Sequence, residues 1–263
     1  MRRAPALLLL LLAVRPAAAA PLLAEYSVHA AGLHVMEIEA LLDLDDAEYL
    51  VRTHIRTTGL VGLFSHGDQV TEARGTWQGV RPVPDSYRVS GTWRGSPRQV
   101  VMDYLAGMPM LRALVPPNNG EREAVPAQLQ RDTVDALSAL AWLSRTVAAT
   151  GRCDALAPVF DGRRRADYAS RTIGVEALPQ QAGYAGQALR CALETRLIAG
   201  RLSDQDPMEA ERPQPATAWL ARVPSAPLPI PVRIELPSRW FGTIRAELVH
   251  LGIPGQQAVE KRG

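Results

Sequence analysis

Five histidines, His29, His34, His54, His66 and His250, are the side chains of this chain best suited to bind a metal or move a proton near neutral pH. Their spacing supports neither use. No two stand at the i, i+4 separation of a helical zinc pair, and none lies beside a cysteine. Surface or hairpin-face positions are expected for all five. Asp43, Asp45 and Asp46 could offer oxygens to calcium, but the glycine and distal glutamate of a calcium loop are missing, so a solvated turn is expected. The stretch Gly62-Leu63-Phe64-Ser65-His66-Gly67 has the wrong spacing for a nucleophile elbow, and no glycine-rich phosphate loop occurs. Asp132 and Asp135 are explained by the start of a helix, whose free amides and dipole favour carboxylates. These patterns name no catalytic residue, no metal ligand and no cofactor site. The expectation is a protein without enzymatic activity.

Redox chemistry rests on Cys153 and Cys191, the only two cysteines. Their pairing depends on the compartment, which the first twenty residues address. Arg2-Arg3 precedes an apolar run from Ala4 to Val14, and Ala18-Ala19-Ala20 supplies small residues for cleavage. That is the order of a secretory signal peptide, and the run is far short of the roughly 20 residues that span a bilayer. A periplasmic mature chain starting near Pro21 is expected, with no transmembrane segment after cleavage. No cysteine follows the cleavage site to carry a lipid, so a soluble product is expected. In an oxidising compartment an even cysteine count favours one disulfide. It would close a loop of about 38 residues and add on the order of 4 kcal/mol by the chain-entropy estimate. Two free thiols or a redox pair are the alternative, without C-x-x-C spacing to support them.

Composition bounds the partners. An apolar fraction of 47% supports a sizeable core rather than disorder. Loss of Arg2, Arg3 and Arg15 with the signal peptide leaves 26 basic against 27 acidic residues, so no nucleic-acid-binding stripe is expected. Lys261 is the only lysine, which fits coding bias in a GC-rich genome better than anion recognition.

The elements that must position any site are mostly strands. In His34–Leu44, Met36, Ile38, Ala40, Leu42 and Leu44 alternate with charged residues, and Tyr49–Thr57 repeats the pattern. With 45–48 as the loop, Leu44 faces Tyr49, Leu42 faces Val51 and Ile38 faces Ile55, while Glu37 meets Arg56 and Glu39 meets His54. A slip by one residue would put the faces out of phase. Further strands are expected at Gln69–Gln78, Asp85–Gly91 and Arg98–Tyr104, separated by glycine- and proline-containing turns. With no helix between them, they form an antiparallel meander.

Met102 to Pro117 is apolar but broken by proline, so a loop or short helical turn on the core is expected. Read functionally, it is a lid over a ligand, with Met102, Leu105, Met108, Met110, Leu111 and Leu114 as ligand-contacting residues. One helix is expected over about 132–150, capped by Asp132 or Thr133 and ended by Gly151. Strands follow near Pro158–Phe160, Arg164–Ile173, Gln187–Ala199, Ala218–Arg222, Leu228–Leu236 and Phe241–Leu251, with Asp161-Gly162 as a tight turn. Pro229 and Pro231 remove two amides from one side of their strand, so its start should lie at an edge or opposite a break in pairing. The segment Pro207 to Pro215 reads as a surface loop. The domain layout is then a signal peptide at 1–20, one β-rich domain at 21–254 and a flexible tail at 255–263.

Taken in order, Tyr26-Ser27-Val28, Gly75, Pro82 and Tyr87, Asp135-Ala136-Leu137-Ser138-Ala139-Leu140, Val159-Phe160-Asp161-Gly162, Trp219, Pro231-Val232 and Gly242-Thr243 give a chain that resembles the exported bacterial family known as domain of unknown function 3108, over about residues 24 to 251. The resemblance implies a β-rich envelope protein, no established activity and no catalytic residues to transfer. The expected fold is mainly β, a curved antiparallel sheet or half-open barrel of about ten strands with the helix on its concave side or plugging one end. The expected function is non-enzymatic binding of an apolar ligand, a lipid or acyl chain. The alternative is an envelope scaffold that offers another protein a sheet edge near Pro229–Val232 or exposed tryptophans.

Overall fold

The computed structural model describes residues 20–254, apart from 60, 61, 63–65, 182, 225, 239 and 240. The expected signal peptide, apart from Ala20, and the expected tail lie outside the described residues. Strands β1 (Leu22–Ala30), β2 (Leu33–Leu44) and β3 (Glu48–Thr57) open the chain, and period-two alternation sets their pairing. Leu44 stands opposite Tyr49, Leu42 opposite Val51 and Ile38 opposite Ile55, the register that the alternation dictates. Leu42, Leu44, Tyr49 and Val51 are buried in one cluster with Leu22, Ala24 and Tyr26 of β1. On the solvated face, Arg56 reaches both Glu37 and Glu39. His54 stands opposite Glu39, but its side chain bonds Asp68 of the next strand at 2.8 Å.

The meander continues through β4 (Gly67–Gln78), β5 (Arg81–Trp93), β6 (Ser96–Leu105) and β7 (Met108–Val115). The last of these corrects the expected loop at Met102–Pro117. Ala106 and Gly107, with φ of 48° and 75°, make the two-residue turn with positive φ that suits the right-handed twist of paired strands. β7 then returns along β6 with Leu105 opposite Met108 and Tyr104 opposite Pro109. Pro109 breaks no ladder because β7 is an edge strand, open on its other side.

After β7 the chain makes a short turn of helix, α1 (Ala127–Gln130), and then the long helix α2 (Ala136–Thr150). α2 starts later than expected, because the cap is neither Asp132 nor Thr133. Asp135 takes that role: its Oδ1 accepts from the amides of Leu137 and Ser138 at 3.0 and 2.9 Å. Gly151, at φ 67°, closes the helix with its amide on the Val147 carbonyl. Between the two helices, residues 132–134 cross the seam of the sheet. The Asp132 amide bonds the Gly107 carbonyl, and Val134 pairs in parallel with Val159.

The second half supplies β8 (Ala155–Phe160), β9 (Arg165–Gln181), β10 (Tyr184–Ala199), a helical turn α3 (Pro207–Ala210) where a loop was expected, β11 (Gln214–Ala221), β12 (Ile230–Ser238) and β13 (Gly242–Gly252). Asp161 and Gly162 belong to a four-residue turn joining Phe160 to Arg165. β13 pairs with β1, so the two halves join into one antiparallel sheet of thirteen strands that curls into a nearly closed barrel. Only β7 and β8 remain unpaired with each other, and the 132–134 segment covers β8.

Pro229 and Pro231 lie opposite a break in pairing rather than at an edge. β12 lies between β11 and β13, so Pro229–Val232 is not a sheet edge. Pairing with β13 begins only at Arg233, and the register against β11 shifts between Trp219 and Leu220. The Tyr26 hydroxyl donates to the Pro231 carbonyl at 2.9 Å across that break.

α2 occupies the barrel interior. Leu137 and Ala141 join the cluster around Leu42, Tyr49 and Val51. Leu143 and Val147 pack on Ala218, Leu220 and the Cys153–Cys191 disulfide, while Ala139 packs on Ala157 and Val159. A helix apolar on nearly all sides is stable only when surrounded, and here the sheet surrounds it.

Candidate functional site

Strands β8, β9 and β10 present aligned rungs to the barrel interior. Ala155, Ser170 and Leu193 form one rung; Ala157, Tyr168 and Thr195 the next; Val159, Ala166 and Leu197 the third. The first two rungs carry mostly small side chains, and the α2 face opposite them begins with Ala136 and Ala139. Small residues on both walls leave a gap that Leu140, Trp142 and Leu143 bound but do not fill. The result is a pocket of about 330 Å³ between α2 and strands β8–β12, bounded on the far side by Ile234 and Leu236. Most of its lining is aliphatic or aromatic, with Ser170, Glu194 and Thr195 the polar exceptions. That volume sits at the lower end of the range for small-molecule sites.

The polar centre of the barrel does different work. Ser138 Oγ donates to Asp135 Oδ2 at 2.5 Å and shares a hydrogen bond of 2.7 Å with the Tyr49 hydroxyl. Asp135 and Ser138 are fully buried, and Tyr49 is nearly so. Burial raises the Asp135 carboxyl to about 6, against the bonds from Ser138 and the cap amides that favour its charged form. Burial also pushes the Tyr49, Tyr87 and Tyr104 phenols well above their ordinary value, with the nearby carboxylate adding to the shift. The group is buried and holds no histidine, and its geometry is that of a helix cap tied to strand β3.

The residues singled out in the sequence do not converge. Met102 is buried under β5 with Tyr87 and Phe160, whereas Leu105, Met110 and Leu111 are exposed on β6 and β7. Met108 and Leu114 are half-buried, and none of the six lines the apolar pocket. They belong to paired strands rather than to a lid. His66 and His250 are exposed, while the rings of His29 and His34 lie 5.3 Å apart on one hairpin. Among the described residues no group of three metal-ligating side chains occurs. Asp45 folds back on its own turn, accepting from the amides of Ala47 and Glu48. Cys153 and Cys191 do form a disulfide, with Cα atoms 5.9 Å apart.

Sequence reasoning missed Ala136, Ala139, Trp142, Tyr168 and Leu193. A signal was present for the helix wall. Ala136, Ala139, Leu140 and Leu143 repeat at i, i+3, i+4 and i+7, a second apolar stripe beside the one through Leu137 and Ala141. Two stripes on one helix mean two partners, one of which here is a pocket.

Three comparisons place this architecture. The family described as "Protein of unknown function (DUF3108)" matches residues 25–249. Among solved structures, a beta-barrel-like protein of the domain of unknown function DUF1849 from Brucella abortus superposes with a TM-score of 0.55 at 13% identity, covering 89% of this chain and 98% of that one. Identity that low carries the fold alone. No curated protein matches the chain.

Proposed function

As this chain belongs to the DUF3108 family of proteins of unknown function, we propose from its geometry that it is a non-enzymatic binding protein of the bacterial periplasm for a single apolar chain, a lipid tail or acyl group. The observation that carries the reading is the apolar pocket of about 330 Å³ between α2 and strands β8–β12. Removing an acyl chain from water gains about 25 cal/mol for each Å² of apolar surface buried, and the lining residues offer little polar competition. The volume suits one chain rather than a bulky multi-chain lipid. A disulfide in the core is consistent with an exported protein, and no described helix is long and apolar enough to cross a membrane.

The test is organic extraction of the purified protein with mass spectrometry of the extract, together with uptake of a fluorescent fatty acid. A co-purified acyl compound or saturable uptake supports the reading; no extractable lipid and no uptake contradict it. A scaffold role is better served by the open edge of β7, where Met110, Leu111 and Val115 are exposed, since β12 lies between β11 and β13 and Trp219 is buried.

A further inference from the structure

The Tyr168–Thr195 rung that lines the apolar pocket also lines a second cavity of about 310 Å³, directly beyond it along the same strands. Successive inward residues of a strand lie about 6.6 Å apart, so the three rungs from Ser170–Leu193 to Ala166–Leu197 set the two cavities in line over about 13 Å. The lining changes character at Tyr168. On one side the walls are alanine, leucine and Trp142; on the other they include Arg122, Arg164, Arg212, Asp161 and Glu209. Tyr168 packs against the buried cluster of Val134, Ala139, Ala157 and Val159, while its phenol feels both Arg164 and Asp161.

The charges at this end are unevenly matched, three guanidiniums against two carboxylates. Asp161 is already committed. Its carboxylate holds Arg164 at 2.8 Å and accepts from the amides of Arg163 and Arg164 in its own turn. Arg122 is not so matched. One of its nitrogens donates to the Gly200 carbonyl at 3.0 Å, and among the described residues no carboxylate lies within ion-pair distance of it. Burial, Arg164 and Arg163 disfavour its charge and outweigh Glu121 and Asp161, which favour it. A half-buried guanidinium facing a cavity, with spare donors and a like charge beside it, is a place where an anion is stabilised.

We propose that the ligand is a single-chain anionic amphiphile, its tail in the apolar pocket and its carboxylate or phosphate monoester head at Arg122, with the Tyr168 phenol at the junction. This assignment rests on the acyl-chain reading above and adds to it the head group and the orientation. The chain lies along β9 and β10, tail toward Ser170 and Leu193, head toward Arg164 and Leu197.

The experiment is calorimetric titration of the intact protein with dodecanoate, dodecyl phosphate and uncharged dodecanol below their aggregation limits. The proteins compared are the wild type, Arg122→Gln and Ala157→Phe, with thermal unfolding of each variant as a check of folding. The wild type is expected to bind at least one anion about tenfold more tightly than dodecanol, the gain of one charge-assisted hydrogen bond. The tighter anion identifies the head as carboxylate or phosphate. Arg122→Gln should remove the preference by weakening the anion more than dodecanol, while Ala157→Phe, which fills the apolar end, should weaken all three. Equal binding of dodecanol and both anions by the wild type overturns the head-group assignment and leaves the acyl-chain reading standing. An anion preference that survives Arg122→Gln overturns the role of Arg122. Absence of binding by all three compounds overturns both readings.

Discussion

Asp135 gives the chain an unusual dependence on pH. Its carboxyl is fully buried and titrates at about 6 in the folded protein, against 3.8 for the unperturbed group. Because the folded value lies above the unfolded one, protonation favours the fold. The contribution is fully present below the unfolded value and is lost as pH rises through the folded one. A difference of about two units corresponds to roughly 3 kcal/mol. Asp135→Asn keeps an oxygen for the amides of Leu137 and Ser138, carries no charge, and lets the Ser138 hydroxyl reverse to accept from the new amide. The surrounding phenols of Tyr49, Tyr87 and Tyr104 stay neutral throughout, since burial pushes all three upward. Urea unfolding of both proteins at intervals between about pH 4 and pH 8 isolates the effect, because every other titration cancels in the difference. The Asn variant should gain on the wild type by about 2 to 3 kcal/mol across that interval, the gain accumulating between the unfolded and folded values and levelling off above the folded one. A difference that stays flat, or that shifts toward the wild type as pH rises, would refute the account of Asp135 as a buried, desolvated cap.

Other perturbations follow from the same packing. Cys153→Ser should lower stability by on the order of 4 kcal/mol, read from the urea midpoint, and treatment of the wild type with a thiol reductant should reproduce the loss. Leu42→Ala, in the cluster joining β1, β2 and β3, should cost about 2 to 5 kcal/mol with the fold retained by circular dichroism. Arg145→Ala should cost about 1 to 2 kcal/mol and speed amide exchange at two hairpin tips. Its guanidinium donates to the carbonyls of Asp45, Asp46 and Gly79 and lies 4.4 Å from the centre of the Trp77 ring.

Where local pattern alone decides structure, the sequence was readable. The β2–β3 register follows from Met36, Ile38, Leu42 and Leu44 alternating against Tyr49, Val51 and Ile55, because a slip would turn the apolar face outward. The consequence of Pro229 and Pro231 was equally legible, since a proline cannot donate whatever surrounds it. The family was legible from the order of weak motifs along the chain. What failed depended on distant partners. Pro109 argued for a loop because an edge position, where proline is harmless, exists only once thirteen strands are counted out. Asp132 and Thr133 looked like caps until the turn at Asp132, φ 57°, and the Val134–Val159 pairing kept the chain out of helix up to Asp135. The pocket was least visible of all. It arises where Ala136 and Ala139 on the helix meet Ala155 and Ala157 on β8, and alanines in sequence give no sign of facing each other across a gap.

The central claim is that the space beside α2 receives a single apolar chain. Diffraction from crystals grown with a fatty acid brominated at its tail, using the anomalous signal of bromine, locates that chain without assumption. The account predicts a bromine peak among Ala139, Leu143 and Leu193. Bromine found only on the outer face of the sheet, or a pocket left empty while the compound binds elsewhere, would contradict it.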